Sequence, residues 1–144
     1  MKKLDFSILK TLFPQIDTDL EVKLDLDKKT YLLDEFYVDY IQGEDHKGQP
    51  QSEVKGGQLF IVMKRLPDGN LYDWAKRSDK TKNGIISFVS QTSGSVLRVE
   101  FFNGYCIQLS TRVEESMGTV VSLCISSEKI TMNGVTHDNK WRNK

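Results

Sequence analysis

Two cysteines and two histidines are the side chains most able to do chemistry in this sequence. Cys106 and Cys124 each lie within a hydrophobic run, where a small apolar side chain packs well, so we interpret them as buried free thiols. His46 and His137 lie in polar segments and belong to no recognisable catalytic motif. These four residues do not have the close ligand spacing of a zinc site. The sequence therefore predicts neither a metal site nor a bound cofactor.

Nucleophilic and acid–base catalysis find little support either. A nucleophilic Ser, Cys or Thr needs a neighbouring base, and the sequence contains no G-x-S-x-G elbow. Paired carboxylates such as Asp25 and Asp27 lie where a strand ends and a turn begins, positions at which acidic residues are commonly solvated. Gly56-Gly57 lacks the lysine and the hydroxyl residue of a phosphate loop and precedes a strand. The sequence does not predict an enzyme.

The charge balance restricts the partners of the chain. Twenty basic and 20 acidic side chains cancel to a formal net charge of zero over 144 residues. We therefore expect neither nucleic-acid binding nor attraction to an anionic membrane, whereas identical copies can approach each other with little long-range repulsion. No apolar stretch reaches the ~18 residues that span a bilayer, and the first residues do not resemble a secretory signal. We expect synthesis in the cytoplasm, with any export by a route that needs no signal peptide.

Alternating apolar and polar residues from Leu20 onward predict a mainly β fold. Asp68-Gly69-Asn70 is a capped start for one short helix that contains Trp74, which we interpret as the anchor of the helix to the core, with a subunit contact as the alternative. Asn103-Gly104 is a hairpin signal. Seven or eight strands and one helix indicate a closed or nearly closed antiparallel β-barrel made of two packed sheets.

Two segments stand apart from the barrel pattern. Residues 1–19 carry apolar side chains at helical spacing and are predicted to be an N-terminal extension, an amphipathic helix that packs on the barrel or docks a partner. The polar stretch 42–55 cannot bury a face, and loops of that length usually have a function. The predicted organisation is an extension over 1–19 and one β-barrel domain over 20–144.

Six short elements, in order along the chain, carry a family signal. They are Asp45-His46-Lys47-Gly48-Gln49-Pro50, Gly56-Gly57-Gln58-Leu59, Leu71-Tyr72-Asp73-Trp74, Asn83-Gly84-Ile85-Ile86-Ser87-Phe88, Phe102-Asn103-Gly104-Tyr105-Cys106, and Ile125-Ser126 with Asn139-Lys140-Trp141. Each is weak alone, but in this order and at this spacing they resemble the Hcp (TssD) inner-tube proteins of type VI secretion systems. The resemblance spans about 20–141. Residues 1–19 extend beyond it, and 117–121 are less rich in threonine than its pattern.

The resemblance implies a β-barrel related to phage tail tubes that assembles into a homo-hexamer. Its rings would stack into a tube that carries or delivers effector proteins in the lumen, alongside the sheath and spike components of the secretion system. It also implies secretion through the type VI apparatus, without membrane insertion. The loop 43–55 becomes the candidate assembly loop. The positions assigned to the subunit or ring interface are Asp45, Gly48, Pro50, Gly56, Gly57 and Trp141.

Other function classes remain open at this point. A monomeric β-barrel could bind a small ligand or a peptide in an apolar interior, with the long loop as a lid. That alternative predicts a monomer with a cavity, whereas the tube subunit predicts a ring. A hydrolase ranks last, and activity abolished by replacing His46 or His137 alone would support it.

Overall fold

The computed structural model describes residues 20–41, 46–47, 55–90, 94–116 and 118–141. The predicted extension 1–19 and most of the predicted loop lie outside these ranges. Within them the chain forms eight strands and one helix. The strands are β1 (Leu20–Leu26), β2 (Lys29–Leu33), β3 (Glu35–Ile41), β4 (Lys55–Met63), β5 (Lys82–Ser90), β6 (Gly94–Glu114), β7 (Gly118–Met132) and β8 (Val135–Asp138), and the helix is α1 (Gly69–Lys76).

The strands form one antiparallel sheet that curls on itself. Its order is β2-β1-β5-β6-β7-β4-β3, and β8 pairs with β7 outside this path. Three strands separate β3 from β5 in that order, yet Phe36 on β3 packs against Phe88 on β5 with ring centroids 5.6 Å apart. The predicted fold, a mainly β, barrel-like structure with one short helix, is confirmed. The two walls of the barrel are halves of one continuous sheet.

Alternation along the strands explains which side chains form the core. Successive residues of a strand point to opposite faces, so every second side chain of β4 and β7 can be buried. Both halves of the sheet and the helix contribute to one hydrophobic cluster. Its members with 1% exposure or less are Leu24, Leu26, Tyr31, Leu59, Ile61, Met63, Leu71, Trp74, Ile86, Val99, Phe101, Val121, Ile125 and Ile130.

Helix α1 is held at its start by one carboxylate. Asp68 is the N-cap, and its Oδ1 accepts a hydrogen bond from the backbone N–H of Leu71 at 3.0 Å. Its other oxygen, Oδ2, accepts from Tyr31 Oη at 2.8 Å and from Lys29 Nζ at 3.2 Å. Because Lys29 and Tyr31 belong to β2, the cap that starts the helix also fixes it to the sheet.

The hairpin predicted at Asn103-Gly104 is wrong, because β6 continues through both residues to Glu114. Asn103 has a φ of 53°, and the pairing of β5 with β6 shifts register beside it, which makes this a β-bulge. A Cβ on Gly104 would lie 2.9 Å from Ile125 Cγ2. Asn-Gly therefore supplies positive φ and close packing within a strand here, and not a turn.

Two further strand boundaries depend on local backbone geometry. The strands β2 and β3 are separated at Asp34, whose backbone N–H donates to Val62 O at 2.8 Å. The chain turns at Asn133-Gly134, both with positive φ, and the polar segment that follows forms β8. Polar edge strands of this kind lack the apolar alternation that sequence patterns detect.

Trp74 gives a direct test of how the helix is held to the core. Its Nε1 donates to Gly104 O at 3.0 Å, and its ring stacks on Phe101 at a centroid distance of 6.5 Å. Trp74→Phe leaves a buried carbonyl unpaired, so we expect the free energy of unfolding to fall by about 1–3 kcal/mol, and Trp74→Ala by about 3–5 kcal/mol. Denaturant unfolding measures both changes.

The matched control is Tyr72→Phe on the exposed side of the same helix, which should stay within about 0.5 kcal/mol of the wild type. If Trp74→Phe unfolded at the same denaturant concentration as the wild type, the hydrogen bond from Trp74 would not stabilise the fold as proposed.

Candidate subunit interface

Several stretches of strand edge have no backbone pairing partner among the described residues, among them those of β3 and of the far part of β6. β3 pairs there with β4 alone, so its other side is open. β6 pairs with β5 only as far as Gly104 and with β7 along its remaining length. An unpaired edge presents a row of N–H and C=O groups that another chain can pair with. These edges are the candidate interface.

The open part of β6 begins at Tyr105, which lies beside the C-terminal end of α1. Residues 75–78 of α1 and the following turn line a shallow groove with Tyr105, Cys106 and Ile107. From Gln108 to Glu114, a segment that we call the β6 edge, β7 is the only described pairing partner. Its side chains are largely exposed: Val113 is 72% exposed, and Arg112 lies 3.2 Å from Glu114 Oε1 through its Nε. The β6 edge therefore extends the sheet into solvent.

The open side of β3, which we call the β3 edge, alternates polar and apolar residues. Phe36 and Val38 are partly buried and pack against the core, whereas Glu35, Tyr37 and Asp39 are exposed on the opposite face. Tyr37 is 47% exposed and stacks on Phe60 of β4 at 4.6 Å with an interplanar angle of 12°. A rigid, half-exposed aromatic ring beside an open edge is typical of a protein–protein contact.

The predicted interface residues are only partly visible. Asp45, Gly48 and Pro50 lie outside the described residues. Gly56 pairs with Tyr40 at the start of β4, beside a register irregularity between β3 and β4. Gly57 has a φ of 74°, and a Cβ there would lie 3.0 Å from Ile130 Cδ1, so the fold itself requires glycine at this position. The assignment of these glycines to a subunit interface stays a prediction.

Trp141 lies against the sheet. Its ring is tilted over Tyr105 of β6 with centroids 5.5 Å apart. Asn139 holds this segment in place, because its backbone N–H donates to Glu128 O at 2.8 Å and its Nδ2 donates to Ser127 O at 2.9 Å. The structure thus places Trp141 on Tyr105, just before the β6 edge. Its role in a subunit contact stays a prediction.

Three of the four residues considered for chemistry are packed within the fold. His137 is partly buried, bonds Asn139 through Nε2 at 2.9 Å and packs edge-on against Tyr40. It is therefore less solvated than the sequence suggested. Cys106 and Cys124 are buried free thiols, as predicted. Within the described ranges, no three His, Cys, Asp or Glu side chains lie together in a way that could hold a metal ion.

Sequence reasoning missed the exposed edge residues Tyr37, Arg112 and Val113. The available signal was the alternation that continues from Tyr105 to about Glu114. Alternation shows that a strand exists, but the strand that pairs with it is decided by distant parts of the chain. An open edge is therefore visible only once the sheet is assembled.

The family model for Hemolysin coregulated protein Hcp (TssD) matches residues 18–142. Comparison with curated proteins gave no match. Among solved structures, Hcp1 from Flavobacterium johnsoniae has a TM-score of 0.77 and 22% identity, covering 83% of this chain and 99% of its own.

Two further solved structures are similar at lower identity. Hcp1 from Salmonella typhimurium has a TM-score of 0.64 and 14% identity, covering 83% of this chain and 92% of its own. The sheath/tube terminator of an extracellular contractile injection system, PVC, has a TM-score of 0.55 and 12% identity, covering 77% of this chain and 91% of its own. At these identities the likenesses establish the fold. In the described part of the chain, no helix is long and apolar enough to cross a membrane.

The thiol of Cys106 should react only slowly with alkylating reagents in the folded protein. Burial raises the pKa of its thiol to about 11, so at pH 8 only about 0.1% is thiolate, the reactive form. We expect native protein to react with iodoacetamide much more slowly at this site than protein unfolded in denaturant, as measured by mass spectrometry of the modified peptide. Equal rates in the native and unfolded states would contradict a buried structural thiol.

Proposed function

The chain belongs to the Hcp (TssD) family, and from this premise we propose that six copies form a ring and that the rings stack. Membership makes the chain a structural subunit of a secretion tube and not an enzyme. Such subunits assemble into tubes with other secretion components, and proteins of this family are secreted through type VI systems. The hexamer, the stacking and the cargo are the further steps of the proposal.

The observation that carries this proposal is the open, curled sheet. The β3 edge and the β6 edge are different surfaces of one molecule, so a contact between them is head-to-tail. Head-to-tail contacts repeat around a rotation axis and close into a ring when the rotation allows it. A formal net charge of zero adds little long-range repulsion between the copies.

We assign effector binding to the sheet face that points away from the core. In the middle of the sheet this face carries neutral polar side chains on three neighbouring strands, Gln58, Gln108, Ser110, Ser122 and Ser126, beside the apolar Phe60 and Val62 of β4. Neutral polar groups can hydrogen-bond to different cargo surfaces without selecting for one charge. Facing a ring lumen, they would hold effectors weakly enough to release them.

The remaining parts of the proposal come from the family resemblance. Sheath and spike components would be the partners of the stacked rings, and the chain would leave the cell through the type VI apparatus. Asp45, Gly48 and Pro50 would contact a neighbouring subunit or ring. Residues 1–19 would be an extension to a β-barrel domain over 20–144 and would act as an adaptor for a partner.

The ligand-binding alternative gains no support from the described interior. Trp74, Tyr31 and Phe101 fill the space between the two halves of the sheet, and each is at most 1% exposed. A pocket that takes a small molecule is concave and open to it. Here side chains occupy that volume.

The mass of the purified protein in solution tests the proposed ring. Six copies of the 16.5 kDa chain give about 99 kDa by light scattering. Negative-stain images of the same sample should show rings with a central hole. A protein that stays at 16.5 kDa up to high concentration would contradict the proposal.

Variants in the loop show whether its residues contribute to assembly. Gly48→Asp and Pro50→Glu should lower the ring fraction without changing the circular dichroism spectrum, because we expect the loop to contact a neighbour and not the core. Unchanged rings in both variants would remove the loop from the interface.

A further inference from the structure

We propose that an apolar groove at one end of the barrel is the docking site of residues 1–19 of the same chain. Leu97 of β6, Met132 of β7 and Val135 of β8 form one side of the groove, and Tyr40 of β3 completes it from the other half of the sheet. The inference concerns a contact within a single copy and does not depend on the proposed ring.

The two ends of the barrel are covered differently. At the end where β1 turns into β2, α1 lies over the core, and the side chains of Leu71 and Trp74 are fully buried. At the end where β1 begins, Val22, Phe88 and Leu97 form a row across three strands and are only partly buried. Within the described ranges no helix covers this second end. Covering these apolar side chains with a further apolar segment is favourable because it removes them from water.

The groove itself offers an apolar surface to a partner. It measures about 460 Å³ and opens to solvent, and Val135 in it is 73% exposed. Two of its polar side chains already have partners, since Thr136 bonds Thr131 and His137 bonds Asn139. Its described lining contains no carboxylate, lysine or arginine. Such a surface suits an apolar occupant and has no group that would hold a charged one.

The first residues of the chain carry the matching pattern. On a helix over 4–13, one broad side would carry the apolar residues Leu4, Ile8, Leu9, Leu12 and Phe13. Ser7, Lys10 and Thr11 would lie on the remaining side. Pro14 would end such a helix, so that 14–19 would form a linker to β1.

The other longer segments outside the described ranges match the groove poorly. They are 42–45, 48–54, 91–93 and 142–144, and their side chains are mainly polar or charged. Each would lose hydrogen bonds to water in an apolar groove without burying much apolar surface in return. Residues 1–19 are therefore the part of the chain best suited to this groove.

The start of β1 places the segment within reach. Leu20 pairs with Ser90, and Ser90 pairs with Gly94, three residues before Leu97. Since neighbouring strands lie about 4.8 Å apart, β6 is about 10 Å from β1, and β8 is about 10 Å further across the sheet. The linker 14–19 can span up to about 20 Å when extended. A helix over 4–13 can therefore lie against Leu97, Met132 and Val135.

Docking would give both ends of the barrel a helical cover. α1 covers one end, and the N-terminal segment would cover the other. The polar side of the segment, with Lys10, would face solvent. A partner of the extension would then meet this polar side instead of the apolar side chains.

Photo-cross-linking from the groove identifies its occupant. Val135→p-benzoylphenylalanine and, in a second variant, Tyr40→p-benzoylphenylalanine place a photoreactive ketone on either side of the groove. Illumination should join both positions to peptides from 1–19, identified by mass spectrometry. The same replacement at Leu66, which is 67% exposed beside β2, is the matched control and should give no such product. Mixing with ¹⁵N-labelled wild-type chain shows whether the captured peptide comes from the same copy.

Variants of the segment test whether its apolar side is the docked one. Ile8→Asp combined with Leu12→Asp would place two charges against the groove, so we expect the cross-link yield from Val135→p-benzoylphenylalanine to fall by about 10-fold or more. Ser7→Asp combined with Thr11→Asp adds the same charge on the polar side and should keep the yield within about 2-fold. Circular dichroism verifies that the barrel stays folded.

Every other occupant of the groove would contradict the proposal. Capture of 42–54 would assign the groove to the loop, and capture of 108–114 would assign it to a neighbouring copy. Capture of ¹⁵N-labelled 1–19 would show docking between copies, and a groove that captures no segment would be open. Absence of rings leaves the inference standing if the cross-link within one chain forms, whereas rings without that cross-link would overturn it and leave the ring proposal intact.

Discussion

The unpaired backbone of two strand edges is the constraint on which this account depends. Each N–H and C=O group in a strand needs a partner, either from protein or from water. β6 runs past the end of its pairing with β5, and β3 has β4 as its only described partner. Because Phe36 packs over Phe88, the sheet curls tightly at one end while the β6 edge stays open at another. A sheet that one chain leaves open at these edges can be closed into a ring by several copies of the chain.

The rest of the fold keeps these edges in fixed positions. Trp74 links the helix to Gly104, the last residue of β6 that pairs with β5, and Asp68 links the start of the helix to β2. The bulge at Asn103 lies at the same place, and bulges bend and twist the strand that contains them. The direction in which the β6 edge leaves the core is therefore set by packed, hydrogen-bonded residues. A rigid edge is a better template for a neighbouring copy than a mobile one, since less conformational entropy is lost on pairing.

Local signals in the sequence predicted much of the fold, and tertiary contacts explain where they failed. The alternation in β4 and the cap at Asp68 act within a few residues, so both the strand and the helix were predictable. Asn103-Gly104 has the same local signature in a hairpin and in a bulge, and contacts with Trp74 and Ile125 decide between them. The edge residues Tyr37 and Arg112 could not be singled out, because an open edge depends on how the whole sheet is ordered. Asp45, Gly48 and Pro50 remain predictions that rest on family resemblance.

Hydrogen–deuterium exchange on the assembled protein tests the central claim most directly, because it reports on the backbone groups themselves. The account predicts that amides of Gln108–Glu114 and of Glu35–Ile41 exchange slowly in rings and quickly after dilution to single copies. Amides of β5 and of the buried centre of β7 should be protected in both states, since their partners lie in the same chain. Equal exchange of the two edges in rings and in single copies would contradict the account, because the ring would then be held by other surfaces.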